Sequence, residues 1–312
     1  MGNTWSLQHV RTVPCVFSLG MCVSLKHRLV IVARYDGTLW MYSLDDGSAV
    51  CSIGSKGSGK GQFNFLRGGM CMSPDGDSVL VAESYNHRVQ EVCIADGSWV
   101  RFVQHGAMWT PQYVDCNASV IAVSESSLVF ARISVLSWRD GRVLAQFGSY
   151  GSDPGQLYNP HGVRLLADGS GLVIADASNS RLCVFSLAGE FVRALGSKER
   201  GFSEPVDVVE CAANGSFVTT NLWGHNLVEI SQDGEIVGVY GKEGSGDGEF
   251  DRSTALAALP DGGLVVLESG GMRFQVFAGK QLRSAWIRAC VTLATREVCA
   301  EGALKRGRYG CA

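Results

Sequence analysis

The sequence lacks a long apolar run and a strong excess of either charge. Its 312 residues include 27 Lys and Arg against 30 Asp and Glu, for a net charge of −3. This balance disfavours a protein-wide field that would attract nucleic acid or an anionic membrane. The longest apolar stretches resemble residues 29–33, well short of the roughly 18 residues that a membrane helix needs. The first residues also lack a basic segment followed by an apolar core, so we expect no secretory leader.

The cysteines lack the spacing of a disulfide framework or a zinc site. There are 11 of them, an odd number, and no two are separated by two residues as C-x-x-C. Several, such as Cys71 and Cys183, fall inside apolar segments, where cysteine acts as a small hydrophobic residue. We therefore expect a reduced, cytoplasmic protein without structural zinc.

Helical periodicity is also scarce, whereas glycine is abundant and regularly placed. Six glycines close short polar turns, with gaps of 50, 44, 48, 45 and 45 residues and a mean of (279−47)/5 = 46.4; they are Gly47, Gly97, Gly141, Gly189, Gly234 and Gly279. Self-similarity at this period indicates a repeat protein. Asp-Gly turns between apolar, alternating segments are typical of β-hairpins.

Each repeat contains four predicted strands. In the fourth repeat, the second strand covers residues 172–175, and its counterparts cover 29–33, 79–82, 120–123, 217–220 and 264–267. Continuous apolar runs of this length indicate strands that are covered on both faces. We therefore predict an all-β protein, a six-bladed β-propeller of four-stranded antiparallel blades over residues 14–288. Residues 1–13 would be an N-terminal segment and residues 289–312 a C-terminal tail.

Two strand–loop–strand segments and a recurring loop resemble the NHL-repeat family of six-bladed propellers. They are V-L-V-A-E-S-Y-N-H-R-V-Q-E-V at 79–92, G-L-V-I-A-D-A-S-N-S-R-L-C-V-F at 171–185, and the loop G-S-G-K-G-Q-F at 57–63 with relatives at 151–157 and 244–250. The resemblance is strong in repeats two, four and six and degenerate in the others. It implies the fold more specifically than the function, because propellers host many unrelated activities.

An acidic residue stands five positions before an arginine in every second repeat. The pairs are Glu83/Arg88, Asp176/Arg181 and Glu268/Arg273. Their side chains flank the loop between the second and third strands, so they are expected to pair within one blade or with the next. In the family such residues usually have a structural role.

Enzymatic sites receive little support from the sequence. The stretch at 54–61 resembles a phosphate-binding loop, but Gly61 replaces the Ser or Thr that would hold magnesium, and a strand follows it. Amidating lyases, which resemble these propellers, hold zinc with several rim histidines, whereas only His161 occupies such a position here. Glu204, Asp207 and Asp251 are too few and too peripheral for the channel cation of lactone hydrolases. We predict no catalytic residues, no metal and no cofactor.

A basic, acid-free span from residue 52 to residue 73 suggests a different function. It contains Lys56, Lys60 and Arg67, interleaved with Phe63 and Phe65. Some NHL propellers bind single-stranded RNA on such a face, where cations follow the phosphates and aromatic rings stack on the bases. Several acidic residues belong to the same face, so the patch is partial.

The chain ends leave two arrangements open. Residues 1–6 fit the pattern M-G-x-x-x-[ST], so Gly2 could be myristoylated, which alone gives weak and reversible membrane binding. Residues 6–13 have strand-like spacing and could close the ring beside blade six, next to or instead of a predicted strand at 281–287.

The sequence therefore favours a non-catalytic interaction or scaffold module that binds a protein partner. The binding face would be formed by the loops that lead into each first strand and the loops between second and third strands, since loops vary at little cost to the sheets. The alternatives are a propeller that binds single-stranded RNA and, third, a metal-dependent lyase or lactone hydrolase. The predicted partner-binding residues are Lys56, Lys60, Arg67, His87, Arg88, His161 and Arg252.

Overall fold

The computed structural model describes residues 7–64, 69–103, 108–211 and 214–279. Strands dominate these ranges, and the helical parts are four single turns of 3-10 helix. Within the described ranges no helix is long and apolar enough to cross a membrane. Gly2, Phe65, Arg67 and the predicted strand at 281–287 lie outside them, so the acylation of Gly2 stays a prediction.

The strands are short and follow one another closely along the chain. In chain order they are β1 (Leu7–Pro14), β2 (Ser18–Ser24), β3 (Leu29–Arg34), β4 (Leu39–Ser43), β5 (Ala49–Ile53), β6 (Ser55–Lys56), β7 (Gln62–Phe63), β8 (Met70–Met72), β9 (Ser78–Glu83), β10 (Arg88–Cys93), β11 (Trp99–Val103), β12 (Pro111–Cys116), β13 (Val120–Ser127), β14 (Phe130–Ser137), β15 (Val143–Phe147), β16 (Pro160–Leu165), β17 (Gly171–Asp176), β18 (Arg181–Ser186), β19 (Phe191–Leu195), β20 (Pro205–Glu210), β21 (Phe217–Asn221), β22 (Asn226–Ile230), β23 (Ile236–Tyr240), β24 (Ser253–Ala258), β25 (Leu264–Glu268) and β26 (Arg273–Gly279).

Six antiparallel sheets of four strands form the blades of a propeller. Blades one to five are β2–β5, β8–β11, β12–β15, β16–β19 and β20–β23, and blade six contains β24, β25, β26 and β1. The innermost strands contact one another around a closed ring, in the order β2, β8, β12, β16, β20, β24 and back to β2. This architecture confirms the predicted all-β, six-bladed fold.

The N-terminal strand closes the ring. β1 is the outermost strand of blade six and pairs antiparallel with β26, from Leu7 opposite Gly279 to Pro14 opposite Arg273. The pairing is interrupted by a register shift between His9 and Arg11. The two ends of the described chain are thus joined in one sheet, and β1 covers an edge of β26 that would otherwise be open.

The core is divided into six apolar clusters, each between two neighbouring blades. In blade one, Ile31 packs towards blade two, whereas Val30 and Val32 pack towards blade six. All three side chains are fully buried. The continuous apolar pattern of the second strands therefore arises because both faces of each blade are covered, as the sequence predicted.

Buried ion pairs stabilise the glycine-rich connectors that lead into blades two, four and six, where a connector is the segment between two successive blades. Glu83 pairs with Arg88 at 2.6 Å, Asp176 with Arg181 at 2.8 Å, and Glu268 with Arg273 at 2.8 Å. Each pair joins the second and third strands of one blade. The arginine also donates to backbone carbonyls of the preceding connector, as Arg88 does to Ser58 at 2.7 Å. The acids are fully buried, and burial raises the pKa of both Glu83 and Asp176 while the paired arginine opposes the shift.

Blades three and five vary this arrangement in ways that the five-residue spacing does not reveal. In blade three, Arg132 donates to Glu125 at 2.6 Å across a hairpin that is longer than its counterparts. In blade five, two amides replace the charges, and Asn221 donates to Asn226 at 2.9 Å. The same corner of the blade is therefore occupied by hydrogen-bonded polar groups even where the sequence motif is lost.

Deleting residues 2–13 should destabilise the propeller, because it removes most of β1 and exposes the edge of β26. We expect the thermal midpoint to fall by about 5 °C or more, measured by circular dichroism. A chain that lacks only residues 2–6 keeps the whole of β1 and serves as the control. A midpoint within about 2 °C of the full chain would show that β1 does not contribute to ring closure.

Candidate functional site

The exposed aromatic side chains lie on one face of the ring. We define the upper face as the connectors that lead into each innermost strand together with the loops between second and third strands. All seven exposed Phe, Tyr and Trp residues of the described ranges lie there: Phe17, Tyr35, Tyr85, Trp109, Tyr150, Tyr158 and Trp223. Leu128 and Val129, at the tip of the β13–β14 hairpin, are 91% and 82% exposed on the same face.

A cavity of about 620 Å³, which we call the upper pocket, opens on this face between blades two, three and four. None of its lining side chains carries a formal charge. They are Ser84 and Tyr85 from blade two, Thr110, Gln112, Ser126, Ser127 and Leu128 from blade three, and Tyr158, Asn159 and Ser178 from blade four. The pocket therefore combines hydroxyl and amide groups with the faces of two tyrosines.

Unusual backbone conformations shape the walls of the upper pocket. Thr110 and Asn159 each precede the proline that begins an innermost strand, and both have positive φ, 42° and 57°. Side-chain hydrogen bonds hold these corners: the Thr110 hydroxyl donates to the Ser126 carbonyl at 2.6 Å, and the Ser84 hydroxyl donates to the Pro111 carbonyl at 2.7 Å. The pocket is thus bounded by residues with fixed positions on three blades.

Gln112, in the wall of the upper pocket, contains a buried acceptor without a partner. Its side chain is only 4% exposed, and its Nε2 lies 3.1 Å from the Thr110 carbonyl and 3.3 Å from the Ser126 carbonyl. The amide oxygen, Oε1, is buried and has no hydrogen-bond partner. A buried acceptor without a partner costs about 1–3 kcal/mol, so this placement of the Gln112 side chain carries an energetic cost.

Below the upper pocket, Tyr113 spans the central channel. Its hydroxyl, on blade three, donates to the Thr254 carbonyl of blade six at 2.8 Å. Next to it, Arg164 of blade four pairs with Asp207 of blade five at 3.0 Å. Burial raises the pKa of Asp207 to about 6, although Arg164 opposes the shift. These contacts connect four blades across the axis and form a floor under the upper opening.

The predicted basic residues that the structure describes differ in their exposure and in their contacts. Lys56 and Lys60 are exposed, and the Lys60 ammonium lies 3.8 Å from the centre of the Trp99 ring. Arg88 is 8% exposed and is bound within the connector. Arg252 is exposed but lies 3.3 Å from Asp251. Among these described residues, Arg88 is therefore the one whose charged group is least accessible to a partner.

The two predicted histidines make contacts within the protein. His87 stacks on Trp109 with ring centres 4.7 Å apart, and its Nδ1 accepts the Thr110 N–H at 3.0 Å. His87 therefore supports one of the exposed aromatic residues of the upper face. His161, on β16, lies edge to face with Tyr113 at 6.5 Å.

The acids considered for a hydrolase lie in separate surroundings. Glu204 accepts the indole N–H of Trp223, Asp207 pairs with Arg164, and Asp251 contacts Arg252. No three His, Cys, Asp or Glu side chains of the described ranges converge as metal ligands.

Sequence reasoning missed the aromatic residues of the upper face, although a signal for two of them exists. Trp109 and Tyr158 each stand two positions before the proline that begins an innermost strand. Aromatic residues at the same position of successive repeats lie side by side in a propeller, so they indicate a shared surface.

Comparison with known proteins does not assign the chain to a family. Neither a protein-family model nor a curated protein matches it.

Replacing Tyr113 by Phe should destabilise the channel floor, because the Thr254 carbonyl loses its donor while it stays buried. We expect a loss of about 1–2 kcal/mol in the free energy of unfolding, measured by urea denaturation. Tyr85→Phe, at a side chain that is 58% exposed, should change it by less than about 0.5 kcal/mol. Equal effects of the two substitutions would contradict the cross-channel role of Tyr113.

Proposed function

We propose that this chain is a non-catalytic interaction module of the NHL-repeat type that binds a protein partner through its upper face. The proposal rests on the observation that all the exposed aromatic residues of the described ranges lie on this one face, where two of them line its pocket. Tyr and Trp are enriched in protein interfaces and often dominate their binding energy. The outer and lower surfaces expose aliphatic side chains instead, such as Val192 and Leu25.

The lining of the upper pocket suits an uncharged side chain of the partner. Its ten lining residues offer hydroxyls, amides and tyrosine faces but no ionic partner. A neutral polar side chain would hydrogen-bond to these groups and pack against Tyr85 and Tyr158. A charged side chain would lose its hydration without finding a counter-ion.

Binding of single-stranded RNA is supported less well. RNA binding needs cations along the phosphate path, and the exposed cations of this face alternate with acids, as in the contacts of Arg252 with Asp251 and of Lys242 with Glu249. Lys56 and Lys60 provide positive charge on the connector between blades one and two. These two lysines are the reason that RNA binding remains the alternative function.

The proposal is tested by Leu128→Asp, which places a charge beside the upper pocket without disturbing the core. Leu128 is 91% exposed, so the stability should change by less than about 0.5 kcal/mol. Proteins captured from nuclease-treated native lysate by the full chain would be cross-linked and quantified by mass spectrometry. We expect a specific partner to be captured about tenfold less by the variant.

Leu25→Asp is the matched control, because Leu25 is 47% exposed in the loop between β2 and β3 on the opposite face. It should capture the partner as well as the unmodified chain does. Equal losses in the two variants, or no loss in either, would contradict binding through the upper face.

The RNA alternative predicts a different result for the double variant Lys60→Glu with Arg67→Glu. A labelled single-stranded RNA should bind it more weakly and with a flatter salt dependence, because fewer counterions are released. Lys26→Glu with Arg28→Glu makes the same change of charge in the loop between β2 and β3, on the lower face. RNA binding that is lost equally in both variants, or that is absent from the unmodified chain, would exclude the predicted RNA site.

A further inference from the structure

The lower end of the channel is rich in sulfur. On the side opposite to the upper face, a cavity of about 270 Å³ is bounded by the innermost strands. Its lining includes Met21 and Cys22 of blade one and Met70, Cys71 and Met72 of blade two. The Tyr113 floor lies above it, so this lower cavity is separate from the upper pocket.

Two thiols from neighbouring blades touch beside this cavity. The sulfur of Cys71, on β8, lies 3.4 Å from the sulfur of Cys116, on β12. The Cys116 sulfur also lies 3.2 Å from the Met72 carbonyl, which holds its side chain against blade two. Cys22 contacts the thioether of Met72 at 3.8 Å.

The backbones that carry these two thiols are also unusually close. The Gly69 N–H, on the residue before β8, donates to the Gln112 carbonyl of β12 at 3.0 Å. A Cβ added to Gly69 would lie only 2.1 Å from the Cα of Tyr113. The absence of a side chain at Gly69 therefore lets the two innermost strands touch. The two sulfurs, 3.4 Å apart, would need to approach by about 1.4 Å to reach the length of a disulfide bond.

We propose that Cys71 and Cys116 form a reversible disulfide that links blades two and three when hydrogen peroxide reaches the lower face of the ring. Cys116 is half-buried and Cys71 is 7% exposed, so Cys116 reacts first. Its thiolate sulfur attacks one peroxide oxygen and the O–O bond breaks. This gives a sulfenic acid and hydroxide, which takes up the thiol proton to become water. The Cys71 sulfur then attacks the Cys116 sulfur, the S–OH bond breaks, and a second water leaves.

In the net reaction the two thiols lose two protons and two electrons, and one hydrogen peroxide takes them up to become two waters. Burial raises the pKa of Cys71 well above its usual range, and the contact with Cys116 raises it further. Little Cys71 thiolate is therefore present at neutral pH. The second step should quicken as the pH rises.

The test uses the reduced full chain, treated with hydrogen peroxide, quenched with N-ethylmaleimide and digested with trypsin without reductant. Trypsin places the two thiols on separate peptides, residues 68–88 and 102–132, each with a single cysteine. We expect these peptides to be joined after oxidation and separated again by dithiothreitol. The thermal midpoint of the oxidised chain should rise by about 5 °C or more.

Cys71→Ser and Cys116→Ser should each abolish the joined peptide, whereas Cys93→Ser, on the third strand of blade two, should retain it. The peptide map of the unmodified chain shows whether Cys71 and Cys116 form a disulfide, even if a variant folds poorly. Alkylation of both thiols after peroxide treatment would overturn the proposal. So would a joined peptide that forms equally well in urea, or one that links Cys116 to Cys22. None of these outcomes depends on the upper face.

Discussion

The pairing of β1 with β26 is the constraint on which the rest of the structure depends. Each blade has two apolar faces, and a single sheet cannot bury either of them alone. The six clusters between blades bury all of these faces only if the ring closes. Because the ladder from Leu7 to Pro14 joins the first described strand to the last, separating the blades requires breaking a sheet as well as a packing contact.

The repeat period and the apolar second strands were sufficient to predict the blades. The sequence could not show that blade three keeps its acid–arginine contact, because its hairpin is longer and the partners become Glu125 and Arg132, seven residues apart. A fixed five-residue spacing finds an acid–arginine pair only where the hairpin between the second and third strands has one particular length. The Arg88, Arg181 and Arg273 contacts explain why the other connectors keep their shape: these arginines bind backbone carbonyls, so most side chains there are free to vary.

Contacts across the ring could not be predicted from the sequence. Tyr113 and Thr254 are 141 residues apart, and their hydrogen bond exists because blades three and six face each other. Cys71 and Cys116 are 45 residues apart, close to one repeat. Sequence motifs for disulfides and metal sites combine residues that are only a few positions apart in the chain, whereas a propeller brings together residues that are one repeat apart. The upper pocket has the same origin, since its lining residues come from three successive blades.

The Tyr113 floor separates the two ends of the channel. Its ring and the neighbouring Arg164–Asp207 pair lie between the uncharged upper pocket and the sulfur-lined lower cavity. A partner on the upper face would therefore lie on the opposite side of this floor from the contact between Cys71 and Cys116. Blades two and three nevertheless contribute to both ends. A covalent link between β8 and β12 would fix the relative position of the strands that carry part of the upper pocket. The two sites would then be coupled through the rigidity of one blade interface and not through a shared cavity.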